Sequence, residues 1–600
     1  MGSRDGTLNL LIHHDSSSRP GTIAPSNPPA SPDDAHTSAP SLSRRRFFAG
    51  VGATGLAVAA APAALFAAEN QAATDGTPEQ VHLTWGEDPA SSVVVSWASP
   101  GPAQNPRLLL RPPPHPSPHA DQGPAGVAVP AVAMIPAIQR TYTDGLNGQT
   151  VFTYHAHLNG LHPAAAYDYA VTADNDRNHG HPWSGHFQTA PRGRAAFRWT
   201  SYGDLATPVT AWTMSNPQSR HAVEAVERFQ PLFHLLNGDL CYANLNPAAQ
   251  PAVWRDFGNN IAASAGFRPW MPCVGNHEIE FHNGAQGCGA YLTRFSLPPN
   301  GTPFAGLWYR FRVGSALFIS LAADDVIYQD SGAFVAGPEP LMPAASTGNA
   351  AIAPGTSFYL HGFSGGAQTR WLEATLAAAA ADSGIDWIIV QMHQDALSSS
   401  KNGNGSDKGI RETWLPLFDR HGVDLVLCGH DHDYERSWPV RGCNRMAGRD
   451  AATGATVDTC QPRPIITAEP DEGHFDTARG TVHMILGGGG TNAPLDAYGV
   501  NAATGLPQAK VITRPNRPVP GAAPGTFVRH GADALEDAVW SARRDTDTGY
   551  GIAVFDLDPG APGVKTSITM RYYHARGADQ RPTGEYELFE TVILAKARRE

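Results

Sequence analysis

One junction, repeated five times, constrains this 600-residue chain more than any other feature. A short apolar run ends in a polar turn that usually carries glycine. Phe197–Tyr202 runs into Gly203-Asp204, and Phe233–Asn237 runs into Gly238-Asp239. Trp270–Val274 runs into Gly275-Asn276-His277-Glu278. Trp387–Met392 runs into His393, the one junction without an adjacent glycine, and Val423–Cys428 into Gly429-His430-Asp431-His432. Near-continuous apolar strands are those covered on both faces, so the pattern predicts an α/β domain. In such domains the loops at strand ends carry the site. Ala367–Ala381 is predicted to be an amphipathic, alanine-rich helix between two of these strands. The chain ends β-rich, with strands predicted in Gly551–Phe555, Ser567–Tyr573 and Tyr586–Leu594.

Before Pro191 the grammar differs. Val81–Trp85 and Ser92–Trp97 are β-branched runs bounded by turn residues, Tyr167 and Tyr169 lead into a later strand, and Phe187–Pro191 closes the segment. A core tryptophan with a tyrosine near a late strand is how small immunoglobulin-like sandwiches fix their corners. The spacing resembles a fibronectin type III domain, which we place at 77–191. Its proline-rich stretch Pro100–Pro130 reads as an extended loop insertion, in which His115 and His119 are more simply solvated than metal-binding. Residues 1–42 have no apolar periodicity and read as a disordered extension. Ser43-Arg44-Arg45-Arg46-Phe47-Phe48 precedes the nearly uncharged Ala49–Ala68. That order makes 43–73 an export signal resembling the bacterial twin-arginine type, so the protein is expected in the periplasm or outside the cell. Pro62 and the Ala/Gly content make the stretch a poor permanent membrane span.

Charge excludes one class of function. Lys and Arg number 43 against 55 Asp and Glu, a net −12, and only 16% of residues are charged. A charge-driven nucleic-acid binder needs a basic stripe, which this composition does not provide. Gly (61) and Pro (51) are plentiful, as suits many loops and short strands.

Each of the five junctions carries a metal-competent side chain: Asp204, Asp239, Asn276, His393, His430 and His432. Hard oxygen donors and imidazoles suit iron, zinc or manganese. A lone Gly-Asp is only a turn; five successive strand ends bearing ligands are hard to obtain from turn chemistry alone. Glycine beside a ligand lets backbone approach a crowded ion pair.

The ordered series Gly-Asp, Gly-Asp-x-x-Tyr, Gly-Asn-His-Glu, His and Gly-His-x-His resembles the calcineurin-like metallophosphoesterases. Gly238-Asp239-Leu240-Cys241-Tyr242 and the trailing Tyr434-Glu435-Arg436 resemble their purple acid phosphatase branch. The resemblance implies an α/β (α+β) four-layer metallophosphoesterase sandwich over 195–600, preceded by the all-β domain. It implies that Asp204, Tyr242 and His432 hold iron(III), that Asn276, His393 and His430 hold a divalent zinc, iron or manganese, and that Asp239 bridges them. The implied reaction is hydrolysis of small phosphomonoesters by a metal-bound hydroxide, with two ions clamping attacking and leaving oxygens. Phosphate would be neutralised by metal rather than by lysine, which reconciles that substrate with an acidic chain. His277 resembles the family histidine that contacts phosphate and protonates the leaving alkoxide; the plainer reading is that it orients a ligand. Glu278 either positions that imidazole or is a surface-loop acid.

The chain also departs from the branch. Higher members carry one or two histidines about ten residues after the ligand matching His393, where this chain has Ser398-Ser-Ser-Lys401-Asn402-Gly403-Asn404. These residues either contact phosphate or form a flexible loop. Their identity leaves a phosphodiesterase or phospholipid hydrolase open beside the monoesterase. A non-catalytic surface-binding protein built on the sandwich is the third reading. Cys241, Cys273 and Cys428 read as small buried residues, His234 and His483 as core, and Cys443 with Cys460 as a candidate disulfide.

Overall fold

In a computed structural model of the chain, the residues described are 75–111, 132–178, 181–280, 283–284, 286–329, 333–334, 360–400, 404–466, 473–491, 499–514, 517–518, 527–528, 534–576 and 583–599. The leader, residues 112–131 with His115 and His119, and Lys401–Gly403 lie outside them; Arg107–Arg111, read from the sequence as part of the loop insertion, is instead a strand, because it pairs on both sides within a sheet. Among the described residues no helix is long and apolar enough to cross a membrane.

Two four-stranded sheets form the N-terminal sandwich. Glu79–Trp85, Val93–Ser99, Thr150–Leu158 and Ile138–Thr143 make one; Ala133–Pro136, Arg107–Arg111, Ala166–Thr172 and Trp183–Gln188 make the other. Trp97 packs on Tyr154 with ring centroids 5.8 Å apart. The Tyr167 hydroxyl accepts a 2.8 Å hydrogen bond from the His162 backbone N–H, the tyrosine corner that pins such sandwiches. The sandwich is bonded to the α/β domain: Tyr169 donates to the Gly266 carbonyl at 2.7 Å, and Thr84 to that of Ser296 at 2.7 Å.

Two seven-stranded sheets face one another in that second domain. In the first, Trp270–Pro272, Phe233–Leu236 and Phe197–Tyr202 run parallel, and Gly551–Asp558, Lys565–Ala575 and Tyr586–Ala597 continue antiparallel. In the second, Ala316–Ser320, Trp387–Gln391, Leu425–Cys428 and Val482–Leu486 are parallel. Side chains alternate across a strand, and here both faces are buried. Trp199, Leu235, Phe318 and Ile389 point into the space between the sheets, where Trp199 stacks on Phe555 at 4.8 Å. Tyr202 and Leu236 point outward onto the helices Gln218–Phe229 and Gln250–Ala265. Ile319, Ile388 and Val390 point outward onto Ala367–Ala381 and Leu415–His421. The result is the four-layer helix–sheet–sheet–helix sandwich that the resemblance implies. Truncating Phe318 to alanine would open its centre at a cost of about 3–5 kcal/mol.

Strand register brings the site together. Leu236 lies opposite Tyr202 on one side and Pro272 on the other, so three strand ends finish level. The Gln391 side chain ties the second sheet to the first, donating to the carbonyls of Leu236 (2.9 Å) and Met271 (3.2 Å).

Candidate metal centre

All seven proposed ligands lie in the loops where these strand ends meet. Asp204 and His393 are fully buried, as is Tyr242; Asp239, Asn276 and His430 are at most 4% exposed. The Tyr242 hydroxyl donates to Asp204 Oδ1 at 2.9 Å and stands 3.0 Å from His432 Nε2, which is 3.3 Å from Asp204 Oδ1. Beside this trio, His393 Nε2 lies 3.0 Å from Asp239 Oδ2 and 3.2 Å from His430 Nδ1. Asp239, His393 and His430 bring one ligand atom each within 4.8 Å of the others. Asn276, buried, opens the 3₁₀ turn Asn276–Glu278, whose His277 N–H donates to Asp239 Oδ1 at 2.8 Å.

Backbone geometry marks the same place. Four of the eleven described non-glycine residues with positive φ are Asp204, Asp239, Tyr242 and His430. Left-handed backbone at residues with a side chain costs roughly 1–3 kcal/mol each and persists only where the surroundings enforce it. Gly238 (φ +79°) is needed for closeness as well: a Cβ there would lie 2.5 Å from His393 Nδ1, the atom that donates to the Asn237 carbonyl at 2.7 Å. That bond leaves Nε2 of His393 facing the carboxylates.

The electrostatics call for a cation. Burial pulls the His393 imidazole down, yet the Asp239 and Asp204 carboxylates outweigh it and raise His393 to about 10. Two buried carboxylates, three convergent imidazoles and a phenol fit a metal pair, since such charges persist in a low-dielectric interior only when neutralised. His277 and His432 keep 18% and 20% of their side chains exposed, so the cluster opens to solvent on their side. Burial lowers the His277 imidazole from its ordinary value, opposed by Asp239.

Glu278 needs correction. It is neither a surface acid nor the partner of His277. Fully buried, its carboxylate accepts backbone N–H groups from Asp239 (2.9 Å), Leu240 (2.7 Å) and Gly275 (2.8 Å), and so braces two ligand loops. Burial and the neighbouring Asp239 push Glu278 well above the ordinary carboxyl value, while the N–H donors pull the other way. The imidazole of His277 is held by Asn244, whose Oδ1 is 2.8 Å from Nδ1.

The departing segment is also structural where described. Ser398, Ser399 and Ser400 are fully buried. Ser398 donates to Asp431, and the Ser399 backbone donates to Glu435 at 2.8 Å. Asn404 N–H donates to Asp431 at 2.6 Å, and its side chain to the His430 carbonyl at 3.1 Å. These residues turn inward and steady the histidine loop. The glycine loop after Val482–Leu486 packs against the first ligand loop. Gly490 and Thr491 N–H groups both donate to the Asp204 carbonyl, at 3.1 and 2.9 Å, and a Cβ on Gly487 would strike the Asp431 carbonyl. Cys241, Cys273 and Cys428 are buried, as expected, and so are His234 and His483. Cys443 and Cys460 are free thiols.

Residues 78–191 match the family model described as the N-terminal domain of purple acid phosphatase, and 203–434 match that of the calcineurin-like phosphoesterases. An uncharacterized protein of Mycobacterium tuberculosis is 39% identical over 593 residues, covering 94% of this chain and 98% of the relative. Human acid phosphatase type 7 is 24% identical over 448 residues, 71% of this chain and 81% of its own. The structure of purple acid phosphatase PPD1 from yellow lupin superposes with a TM-score of 0.56 at 17% identity, over 86% of this chain and 74% of that one, a likeness of fold. A non-catalytic binding protein is thereby set aside. The chain belongs to the calcineurin-like phosphoesterases, in their purple acid phosphatase-like branch, a binuclear-metal family of hydrolases acting on phosphoesters.

Proposed function

We propose that the protein is an exported acid phosphatase-like enzyme that hydrolyses small phosphomonoesters at a two-metal centre. The observation that carries this reading is the convergence of six donor side chains, Asp204, Asp239, Tyr242, His393, His430 and His432, with Asn276 buried in the adjoining turn and His277 on their solvent-facing side. Asp204, Tyr242 and His432 would hold iron(III), a hard ion suited to phenolate and carboxylate. Asn276, His393 and His430 would hold zinc, iron or manganese, and Asp239 would be shared. When bound, such a pair neutralises the phosphoryl oxygens and supplies a water of lowered pKa as nucleophile.

The chain's own residues do the rest. Glu278 fixes the spacing of the Asp239 and Asn276 loops. His277 presents Nε2, 3.9 Å from Asp239 Oδ2, to the departing ester oxygen and delivers its proton there. A phosphodiester substrate is the second reading, left open because Ser398–Asn404 contains no histidine where higher members carry one or two. Export rests on the Ser43–Phe48 signal, and protein retained in the cytoplasm on cell fractionation would contradict it.

The test is the purified holoprotein, assayed for metals, for a visible iron(III)–tyrosinate band and for turnover of aryl mono- and diesters. The expected result is monoester turnover and a band that vanishes in Tyr242→Phe. A band that survives that substitution, or diester turnover alone, would overturn the corresponding assignment.

A further inference from the structure

His277 has two ring nitrogens, and only one can face a substrate. Nδ1 lies 2.8 Å from Asn244 Oδ1, and Nε2 is 3.9 Å from the nearest charged partner, Asp239 Oδ2, too far for a hydrogen bond. Which end of the Asn244 amide meets the ring is decided by the amide's other contact. Its Nδ2 is 3.3 Å from the Ile279 carbonyl, which can only accept. Oδ1 is therefore the end facing His277, and an acceptor there requires the proton on Nδ1. Asn244 is 5% exposed and sits in the 3₁₀ turn Ala243–Leu245, directly after the left-handed Tyr242. The Tyr242 ring packs on the imidazole at 4.6 Å, tilted by 45°. Edge and face of the ring are thus both held.

We infer that Asn244 is a positioning residue: it fixes the Nδ1–H tautomer and the orientation of His277, so that Nε2 alone exchanges protons with the substrate. This rests on the reading of His277 as the proton donor to the leaving group. In that step the bond between phosphorus and the ester oxygen breaks as a bond from phosphorus to a water oxygen forms. The Nε2 proton passes to the ester oxygen, giving alcohol and inorganic phosphate, and solvent returns a proton to Nε2. Because Nδ1 keeps its proton throughout, the ring need not turn between cycles. An amide, having no charge, orients the ring without adding a further anion beside Asp204 and Asp239.

The test compares Asn244→Leu, Asn244→Asp and His277→Ala in the metal-loaded enzyme, using an alkyl phosphate and an activated aryl phosphate. Protonation matters most for the poor, alkyl leaving group. Asn244→Leu should lower kcat on the alkyl ester about 10- to 100-fold, the usual range for losing a group that orients a site residue. On the activated ester it should lower kcat by less than about 3-fold. Metal content and KM should stay near those of the parent. Asn244→Asp, which keeps an acceptor, should restore most of the alkyl-ester rate. A second readout is independent of turnover: in metal-free protein labelled with ¹⁵N-histidine, the signal lost in His277→Ala should report Nδ1–H, and should move in Asn244→Leu. Equal losses on both esters, or an unmoved histidine signal, would overturn the positioning role. Leaving-group sensitivity in His277→Ala but not in Asn244→Leu would overturn it alone. Its absence from both variants would overturn the assignment of His277 as proton donor, and the inference with it.

Discussion

Glu278→Gln is the most searching perturbation of this site, because it preserves shape and changes only hydrogen-bonding sense. One oxygen of Glu278 accepts the Asp239 and Gly275 N–H groups at 2.9 and 2.8 Å, and the other accepts that of Leu240 at 2.7 Å. Glutamine has one oxygen. If it stays with Asp239 and Gly275, its NH₂ group confronts the Leu240 N–H, and two donors meet in a fully buried place. Losing a hydrogen bond costs about 0.5–1.5 kcal/mol, and a stranded buried donor about 1–3 kcal/mol. A net destabilisation of about 2–4 kcal/mol is expected. For a chain of this length that lowers Tm by roughly 1 °C per kcal/mol, so the metal-free variant should melt about 2–4 °C below the parent. The same bonds tie the loop of Asp239 to that of Asn276, so metal affinity should fall about 10- to 100-fold in a chelator competition. A variant that melts and competes like the parent would refute the claim that Glu278 sets the spacing of the two loops.

The geometry sets two further outcomes. Gly238→Ala places a Cβ 2.5 Å from His393 Nδ1 at φ +79°, so it should cost at least about 1–3 kcal/mol and deplete the divalent ion; unchanged metal content would contradict this. Glu280, fully buried against Trp254 and Asn283, is pushed up to about 7 by desolvation. A raised carboxyl binds its proton more tightly in the folded chain, so stability from this group is present at low pH and lost as pH rises through about 4.5 to 7. The effect amounts to about 3 kcal/mol across that window. Thermal melts of the parent and Glu280→Gln should converge in pH slope outside it and differ within it; parallel curves throughout would contradict the assignment.

The fold was largely legible, and for a physical reason. Strands buried on both faces must be apolar throughout, so the runs ending at Tyr202, Leu236 and Gln391 announced themselves, and Ala367–Ala381 was bounded as predicted. Ligand types were legible because metal chemistry restricts them. What sequence could not supply was direction. Glu278 beside His277 looked like its partner, but consecutive residues of a 3₁₀ turn point apart, and the bond to His277 comes from Asn244, 33 positions earlier. The only advance signal for Asn244 was a polar side chain two residues after Tyr242. Ser398–Ser400 looked like loop because nothing local revealed the buried Asp431 and Glu435 they would meet. The glycines at 487–490 lie against Gly203 and Asp204, a long-range contact that no local pattern announces.

Metal stoichiometry decides whether Asp239 is shared by two ions, as proposed. Metal analysis of the purified parent should give two ions per chain, and Asp239→Asn, folded by circular dichroism, should lose at least one of them together with phosphoester turnover. Two retained ions and full turnover in Asp239→Asn would show that Asp239 is not the shared ligand.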